Sequence, residues 1–299
     1  MTTGNSDRTA RWIRLGMMLA PRIPRGLGFW LARQAARVLR RRSSAAYSML
    51  RTNLAVVLPG TSERQRDAMA EDALYELACS YFDMVHFAGD KVFRAGLITV
   101  EPTGWKRLQD AIEAKQGLLV VAGHVGNFDL GIQWVVAHGM DAQILSLPDE
   151  SRAQQLMTEF REKSSVVVTP TSVSALRTAL RRLRNGGIVA TGVDRPMDYA
   201  DPPVVFFGRP APLPTGHVRL ALQTGAPIVV ASCIRQADRS YYLKFWPPLE
   251  MQSTGNREQD VASNVRRVLA LVEESIQEAP TQWGMLHPVW TPPQANLRD

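Results

Sequence analysis

The fold of this chain is decided by the stretch Leu118-Leu119-Val120-Val121-Ala122-Gly123-His124-Val125-Gly126-Asn127-Phe128-Asp129. Its apolar first half follows a glycine and is too short for a helix of normal length, so it predicts a buried strand. Asn127 is a favourable helix N-cap, and residues 128–138 have helical character up to Gly139. The sequence therefore predicts a strand, a tight turn and a helix in this order.

Strands and helices continue to alternate along the rest of the chain. We predict strands at residues 143–147, 166–169, 187–191, 227–233 and 241–246. We predict helices at residues 63–85, 105–114, 150–163, 172–184, 215–225 and 259–278, and a proline-rich loop at 198–214. This alternation is typical of an α/β fold with a mostly parallel central sheet flanked by helices.

The composition narrows the class of protein. The chain has 299 residues, 45% of them hydrophobic, which suits a sizeable α/β core. Its two cysteines, Cys79 and Cys233, lie far apart and outside any CxxC motif, which argues against a disulfide framework or a zinc site. The sequence contains no glycine-rich nucleotide loop and no GxSxG motif. No uncharged stretch approaches the ~18 residues that a membrane-spanning helix needs.

The positive charge of the chain is concentrated at its N-terminus. Residues 1–51 contain eleven arginines and one acid, a net charge of +10. The other residues carry 24 basic and 27 acidic side chains, a net charge of −3, which together give the overall +7. The basic character therefore belongs to the N-terminal region and not to the predicted α/β core.

The N-terminal region has the pattern of an amphipathic helix. Arg33, Arg37 and Arg41 recur at helical spacing, with Phe29 and other apolar residues opposite them. We predict that residues 1–52 form a basic helical arm that associates with an anionic membrane surface, and that residues 53–299 form a single α/β domain. One alternative is a charged face packed on that domain. A nucleic-acid partner is not expected, because the remaining chain is acidic and has no nucleic-acid motif.

The chemistry is predicted at His124 and Asp129. They lie five positions apart, so on one continuous helix their side chains would point roughly 140° apart. On a strand, turn and helix the histidine follows the strand and the acid lies in the first helical turn, so they can meet. Ligands and catalytic groups collect at such strand ends in α/β sheets. We therefore predict His124 and Asp129 as a catalytic pair.

Six sequence blocks occur in the order of a known family. They are Asn53-Leu54-x4-Pro59, Gly-His-x-x-Asn-x-Asp at 123–129, Asp194, Phe206-Phe207-Gly208, Ala-Pro-Ile-Val at 226–229, and Pro-x-Gln-Trp-x3-His at 280–287. In these blocks the chain resembles the lipid A biosynthesis lauroyl/myristoyl acyltransferase family. Within that family it is more similar to the phosphatidylinositol mannoside acyltransferase branch. The resemblance extends over most of residues 45–290.

The resemblance implies roles for individual residues. It places the catalytic signature on His124 and Asp129, a further acid on Asp194 and a helical basic residue on Arg161. Arg195 stands where many lipid A members have glutamine. The chain also has Pro203 near the position of a glutamate in the mannoside branch, and it lacks the usual N-terminal spanning helix. These departures concern the acceptor rather than the type of reaction.

Acyl transfer from a thioester to a hydroxyl needs a base, a group that orients the base, and positive potential for the oxyanion. A histidine has suitable chemistry for the base, and Asp129 would stay ionised and hold its tautomer. Arg161, Arg195 or backbone N–H groups at residues 126–127 would stabilise the oxyanion or bind a phosphate. Direct attack by the acceptor requires no metal and no cofactor, with acyl-CoA or acyl-carrier protein as the donor substrate.

The expected substrate contacts extend beyond these groups. Asn127, Asp194 and Arg195 are predicted to bind substrate, and Phe206 and Phe207 to line the acyl-chain site, although a hydrophobic flap over the core would have the same sequence. We predict a peripheral enzyme on the cytoplasmic face of the cell membrane, with a glycolipid acceptor. A lysophospholipid acyltransferase and a non-catalytic membrane-surface binding protein are the alternatives.

Overall fold

A computed structural model describes residues 15–16, 18–87, 96–147, 167–197 and 202–290. Its strands are β1 (Ile98–Val100), β2 (Leu118–Ala122), β3 (Ala142–Ser146), β4 (Val168–Pro170), β5 (Ile188–Gly192), β6 (Val204–Phe206), β7 (Arg209–Ala211), β8 (Ile228–Arg235) and β9 (Tyr241–Phe245). Its helices are α1 (Arg25–Arg41), α2 (Ala45–Val57), α3 (Glu63–His86), α4 (Pro102–Glu113), α5 (Phe128–Ala137), α6 (Val173–Arg184), α7 (Gly216–Thr224) and α8 (Arg257–Glu278), with single 3₁₀ turns at Ala20–Arg22 and Pro280–Gln282.

Seven strands form the central sheet in the order β1-β9-β8-β2-β5-β3-β4. Neighbouring strands are parallel except for β8 and β9, which run antiparallel. β6 and β7 form a separate antiparallel hairpin. The predicted α/β fold, with a mostly parallel central sheet flanked by helices, is confirmed.

Each face of the sheet is covered by its own helices because successive strand residues point to opposite faces. Leu118 and Ile188 pack with α4 and α5 on one face. Leu119 and Val189, the next residues in each strand, pack with α6, α7 and α8 on the other face. All four side chains are buried, so the central strands are covered on both faces, as a parallel sheet requires.

The N-terminal helices pack on α3. Phe29, Ala32 and Ala36 of α1 are buried, and the ring of Phe82 occupies the space where a Cβ at Gly28 would lie. Phe29 therefore faces the protein interior and not the exterior surface that the sequence pattern predicted for it.

Several arginines of this region pair with acids of α3. They include Arg25 with Asp83, Arg33 with Asp72, Arg40 with Glu71, and Arg51 with Asp67. Much of the N-terminal positive charge is thus neutralised within the fold, as expected of a charged face packed on the domain.

Some elements differ from the predicted ones, and others are not tested. The predicted loop at 198–214 contains the β6–β7 hairpin, whose strands of three residues are too short to leave a periodic pattern. α2 continues to Val57, past the last residue of the predicted helical arm. The predicted helix at 150–163, with Arg161, and the first fourteen residues of the predicted arm lie outside the described residues. Among the helices that are described, none is both long and apolar enough to cross a membrane.

Candidate active site

His124 and Asp194 lie side by side at one edge of the central sheet. β2 and β5 are adjacent and parallel, with Ala122 paired to Gly192, and each of the two side chains follows its strand by two residues. Nδ1 of His124 lies 2.5 Å from Oδ1 of Asp194, and the backbone N–H of His124 donates to Oδ2 at 2.7 Å. The sheet therefore joins a histidine and a carboxylate that are 70 positions apart in the sequence.

The Asp194 carboxylate is buried and well supplied with donors. Its side chain has no exposed surface, and the indole N–H of Trp283 donates to Oδ2 at 2.8 Å. Burial alone would raise the pKa of Asp194, but the charge of the His124 ring and the hydrogen bonds from His124 and Trp283 lower it below its ordinary value. An ionised carboxylate at Nδ1 places the proton on that nitrogen, so Nε2 carries the lone pair that a general base needs.

Two glycines make this geometry possible. A Cβ at Gly192 would lie 3.1 Å from Cε1 of His124, so the imidazole ring occupies space that any side chain at that position would fill. Gly126 has a φ of +69°, and a Cβ there would lie 2.1 Å from the carbonyl oxygen of Cys233. The turn between β2 and α5 therefore needs glycine both for its backbone conformation and for its close approach to β8.

The turn amides are already engaged in hydrogen bonds. The N–H of Gly126 donates to the carbonyl of Gln282 at 3.0 Å, and the N–H of Asn127 donates to the carbonyl of Cys233 at 2.7 Å. The carbonyl of His124 in turn accepts the N–H of Gly284. The predicted use of the amides at residues 126–127 as oxyanion donors is therefore wrong for this conformation.

The side chain of Asn127 is used within the protein. Its Oδ1 accepts the N–H of Leu130 at 3.1 Å, which caps α5 as predicted. Its Nδ2 donates to the carbonyl of Ser80 at 2.9 Å and lies 3.4 Å from the hydroxyl of Tyr241. Asn127 is almost completely buried, so these contacts fix the start of α5 against α3. Its predicted contact with substrate stays a prediction.

Asp129 lies in the first turn of α5, where a negative charge is favourable, and is 6% exposed. The preceding ring, that of Phe128, packs edge-on against His124 at a centroid distance of 5.3 Å. The predicted pairing of His124 with Asp129 stays a prediction, whereas Nδ1 of His124 contacts Asp194. The strand order explains this, because it places the end of β5 directly beside His124.

Phe206 is a core residue. It has no exposed surface, stacks on Trp290 at a centroid distance of 5.8 Å and contacts Trp283 edge-on at 6.4 Å. Trp290 also donates its indole N–H to the carbonyl of Phe206. Phe206 thus packs beneath the indole that holds Asp194.

Phe207 is half-buried at the tip of the β6–β7 hairpin. Its φ is +47° and that of Gly208 is +71°, as in the two-residue turns that favour Asn-Gly. Its N–H donates to Oε1 of Glu273 at 2.6 Å, and burial raises the pKa of that carboxyl. Phe207 therefore keeps a backbone conformation that an aromatic residue rarely adopts.

Only one of the two predicted arginines lies within the described residues. Arg195 follows Asp194 directly and is half-buried. Arg161 lies outside the described residues. The roles predicted for both arginines remain predictions.

Trp283 is part of the site, although it was not among the predicted site residues. The signal was present, because Trp283 belongs to the Pro-x-Gln-Trp-x3-His block, but a pattern does not say where an indole points. The first and last blocks also meet in the structure. Nδ2 of Asn53 donates to the carbonyls of Met285 and His287, at 3.0 and 2.9 Å, and so anchors the segment that follows Trp283.

Much of the chain is similar in sequence to known proteins. Residues 7–291 match the family model described as bacterial lipid A biosynthesis acyltransferase. The chain is 27% identical over 191 residues to a phosphatidylinositol mannoside acyltransferase of Mycobacterium tuberculosis, which covers 62% of this chain and 58% of that protein. It is 24% identical over 187 residues to the protein of that name in Mycolicibacterium smegmatis, which covers 61% and 60%. The match thus spans somewhat less than two thirds of the length of these relatives.

Proposed function

Because the chain belongs to the bacterial lipid A biosynthesis acyltransferase family, we propose that it transfers a fatty acyl group from a thioester to a hydroxyl of a glycolipid. The donor is acyl-CoA or acyl-carrier protein. The acceptor is a phosphatidylinositol mannoside or a lipid A-like molecule, and the names of the mycobacterial relatives favour the former. The observation that carries the proposal is the contact of His124 with the buried, ionised Asp194.

In the proposed reaction His124 is the general base. Nε2 takes the proton of the acceptor hydroxyl while its oxygen attacks the thioester carbonyl, which forms the new C–O bond and an oxyanion. The oxyanion then collapses, the C–S bond breaks, and the thiolate leaves with the proton from Nε2. Asp194 holds Nδ1–H throughout and stabilises the imidazolium, as the acid does in hydrolase triads. The step needs no nucleophilic side chain and no oxidant.

The remaining predicted residues have supporting roles in this proposal. Arg195, beside Asp194, and Arg161 are the candidates for stabilising the oxyanion or binding a phosphate of either substrate. Asp129 is the predicted acidic partner, in the first turn of α5, the helix that Asn127 caps. Phe207, at the hairpin tip, is the candidate for contact with the acyl chain.

The chain is also proposed to act at a membrane surface, through the outer face of α1. Leu27, Trp30, Leu31 and Val38 recur at helical spacing on that face and are 43–58% exposed. Many arginines here pair with acids of α3, so the net charge of +10 overstates the electrostatic attraction to a membrane. Insertion of the apolar face therefore contributes a larger share of the binding. We propose peripheral association with the cytoplasmic face of the cell membrane.

The reaction is tested with the purified chain, palmitoyl-CoA and vesicles that contain a phosphatidylinositol mannoside. Thiol release and acylated lipid are measured together, by a thiol reagent and by mass spectrometry. We expect one thiol per acylated lipid, and a loss of about 10²–10⁴-fold in His124→Ala but not in His138→Gln, at the other end of α5. Unchanged turnover in a folded His124→Ala variant would remove His124 as the general base. No turnover in the wild type, with acyl-CoA or with acyl-carrier protein as donor, would leave the non-catalytic binding protein.

Membrane association is tested by sedimentation with vesicles. Point variants suit this test better than truncation, because α1 packs on α3 through Phe29 and removal would uncover the core. Leu31→Glu should release the protein from vesicles, whereas Val173→Glu, at another exposed apolar residue on α6, should not. Equal binding by the two variants would contradict docking through α1.

A further inference from the structure

A cleft lies where α1 ends, α2 begins and α3 passes beneath them. Its volume is about 480 Å³, and it is lined by Arg37, Arg40, Arg41, Ser43, Tyr47 and Glu71. None of these residues belongs to the site at His124. Three guanidinium groups thus converge on one hollow of the surface with a single carboxylate among them.

The charges in the cleft do not balance. Oε2 of Glu71 accepts a hydrogen bond from Arg40 at 2.7 Å, and Nε of Arg37 lies 4.0 Å from its other oxygen. Arg41 is exposed and makes no side-chain hydrogen bond or ion pair within the described part of the chain. Tyr47 already donates its hydroxyl to Asp67 at 3.0 Å. The cleft therefore presents two positive charges in excess, one of them on a side chain with no other role in the fold.

Clustered guanidinium groups are suited to phosphate. The planar fork of arginine donates two parallel N–H bonds to phosphate oxygens, and arginine is more weakly hydrated than lysine. Ser43, with a φ of +46°, ends the turn between α1 and α2 at the rim of the cleft. We propose that this cleft binds the phosphodiester head group of an anionic membrane lipid.

The neighbouring surface identifies a lipid as the source of the phosphate. Val38 and Leu39, next to Arg37 and Arg40 in α1, are exposed, and the apolar face of the helix continues through Trp30 and Leu31. A bilayer that receives this face has its head groups at the level of the arginines that flank it. Basic residues beside an inserted apolar face supply the second of the two signals that stable membrane anchoring needs.

The position of the cleft relates it to the active site. Glu71 and Leu77 lie six residues apart on α3, about 9 Å along the helix axis. Leu77 packs so closely on Gly284 that a Cβ there would lie 2.7 Å from its Cδ1, and the N–H of Gly284 donates to the carbonyl of His124. A lipid bound in the cleft thus keeps α3, the helix that supports the active site, at the bilayer surface.

This inference rests on the proposed membrane association but not on acyl transfer, and vesicle binding tests it directly. The full chain is sedimented with vesicles of phosphatidylcholine alone, and with vesicles in which part of it is replaced by phosphatidylglycerol. We expect tighter binding to the anionic vesicles. In each of the variants Arg37→Gln and Arg41→Gln, the preference for anionic vesicles should fall about tenfold or more, while binding to phosphatidylcholine stays unchanged.

A matched control is Arg181→Gln on α6, whose side chain donates a hydrogen bond to the hydroxyl of Thr178 at 3.3 Å. It should keep the preference for anionic vesicles. If Arg181→Gln lost as much of the preference for anionic vesicles as the cleft variants do, the proposal would be overturned, because the preference would then depend on net charge alone. Displacement of the wild type from anionic vesicles by glycerol phosphate or inorganic phosphate, at constant ionic strength, would overturn the assignment to a membrane lipid.

The outcome for the wild type separates this site from the membrane association. Binding to both kinds of vesicle with no preference would overturn the phosphodiester site and leave docking through the apolar face of α1 intact. Binding to neither would overturn both. Neither of these results depends on catalytic turnover, which is measured separately with detergent-dispersed substrate.

Discussion

The indole N–H of Trp283 donates to Oδ2 of Asp194 across 2.8 Å, the oxygen that also accepts the backbone N–H of His124. Oδ1 of the same carboxylate contacts Nδ1 of His124, so three donors fix its orientation. The segment after α8 thereby completes a site that begins at the end of β2. A hydrogen bond to a charged group contributes about 1.5–3 kcal/mol, so loss of the indole N–H should be measurable.

Trp283→Phe keeps an aromatic ring at this position and removes only the donor. We expect kcat to fall about tenfold with little change in KM, since the carboxylate is less firmly held while the substrate contacts stay intact. The pKa of Asp194 should rise, so it attracts the imidazolium proton more strongly. The acid limb of the rate profile should therefore move to higher pH.

Trp290→Phe is the matched control, because its indole N–H donates to the carbonyl of Phe206 and not to Asp194. It should leave the pH profile in place. If both variants move the acid limb equally, the effect comes from general loosening of the aromatic cluster and not from the carboxylate.

The two carboxylates near His124 should differ in their effect on turnover. Asp194→Asn should lower kcat by about 10³–10⁴-fold, because an amide neither stabilises the imidazolium nor enforces the tautomer. Asp129→Asn should lower it less, since Nδ1 contacts Asp194. The measurement is steady-state turnover of variants whose folding is verified by circular dichroism. Greater loss in Asp129→Asn than in Asp194→Asn would return the orienting role to Asp129.

A double variant tests whether His124 and Asp194 act as one unit. His124→Ala combined with Asp194→Asn should be about as slow as His124→Ala alone, because groups that act together do not lose their effects additively. Additive losses, measured as single-turnover rates, would show that the two residues act independently.

The central fold could be predicted from local patterns. Residues 118–122 and 188–192 are apolar runs ended by glycine-containing turns, and such runs predict buried strands wherever they lie in the sheet. The β6–β7 hairpin could not be predicted this way, since three-residue strands are shorter than any reliable period. Phe207 also stands at a turn position with positive φ where asparagine or glycine is usual.

The site was predicted only in part, and the order of the strands is the reason. His124 was found because its block is continuous in sequence, whereas its contact with Asp194 depends on β5 lying next to β2. Patterns along the chain do not give strand order, so they paired His124 with Asp129, which follows it on the predicted strand, turn and helix, and that pairing stays a prediction. The contribution of Trp283 likewise depends on a segment that folds back after α8.

His217 should make the protein sensitive to moderate acid. It is 3% exposed in the first turn of α7, and burial, only partly offset by the nearby carbonyl of Pro214, lowers its pKa from 6.5 to about 4. Between pH 6.5 and about pH 4, His217 is protonated in the unfolded chain but not in the folded protein. The free energy of unfolding therefore falls as the pH falls. At about 1.4 kcal/mol per pH unit, the full effect is about 3 kcal/mol.

His217→Leu removes this titration and should flatten the dependence between pH 6.5 and pH 4. The measurement is urea unfolding of both proteins across that range, with pH 8 as the reference for any change in packing. The same slope in the variant and the wild type would show that other groups cause the acid sensitivity.

Substitution of the two phenylalanines of the hairpin should affect the stability of the protein to very different extents. Phe206 has no exposed surface and packs between Trp283 and Trp290, so Phe206→Ala should destabilise the protein by about 3–5 kcal/mol. Phe207 is half-buried with a φ of +47°, a conformation that asparagine adopts more readily than an aromatic residue. Phe207→Asn should therefore leave the melting temperature nearly unchanged.

A strained, half-buried aromatic residue at a hairpin tip is typical of a functional site, because backbone strain persists where the side chain is needed. We expect Phe207→Asn to alter the preference among acyl donors of different chain length, since it removes an apolar surface beside the site and preserves the turn. The measurement is kcat/KM for a series of acyl-CoA donors, compared with Val205→Asn, an exposed apolar residue on the same hairpin. An unchanged preference in Phe207→Asn, or the same change in Val205→Asn, would remove Phe207 from the acyl-chain site.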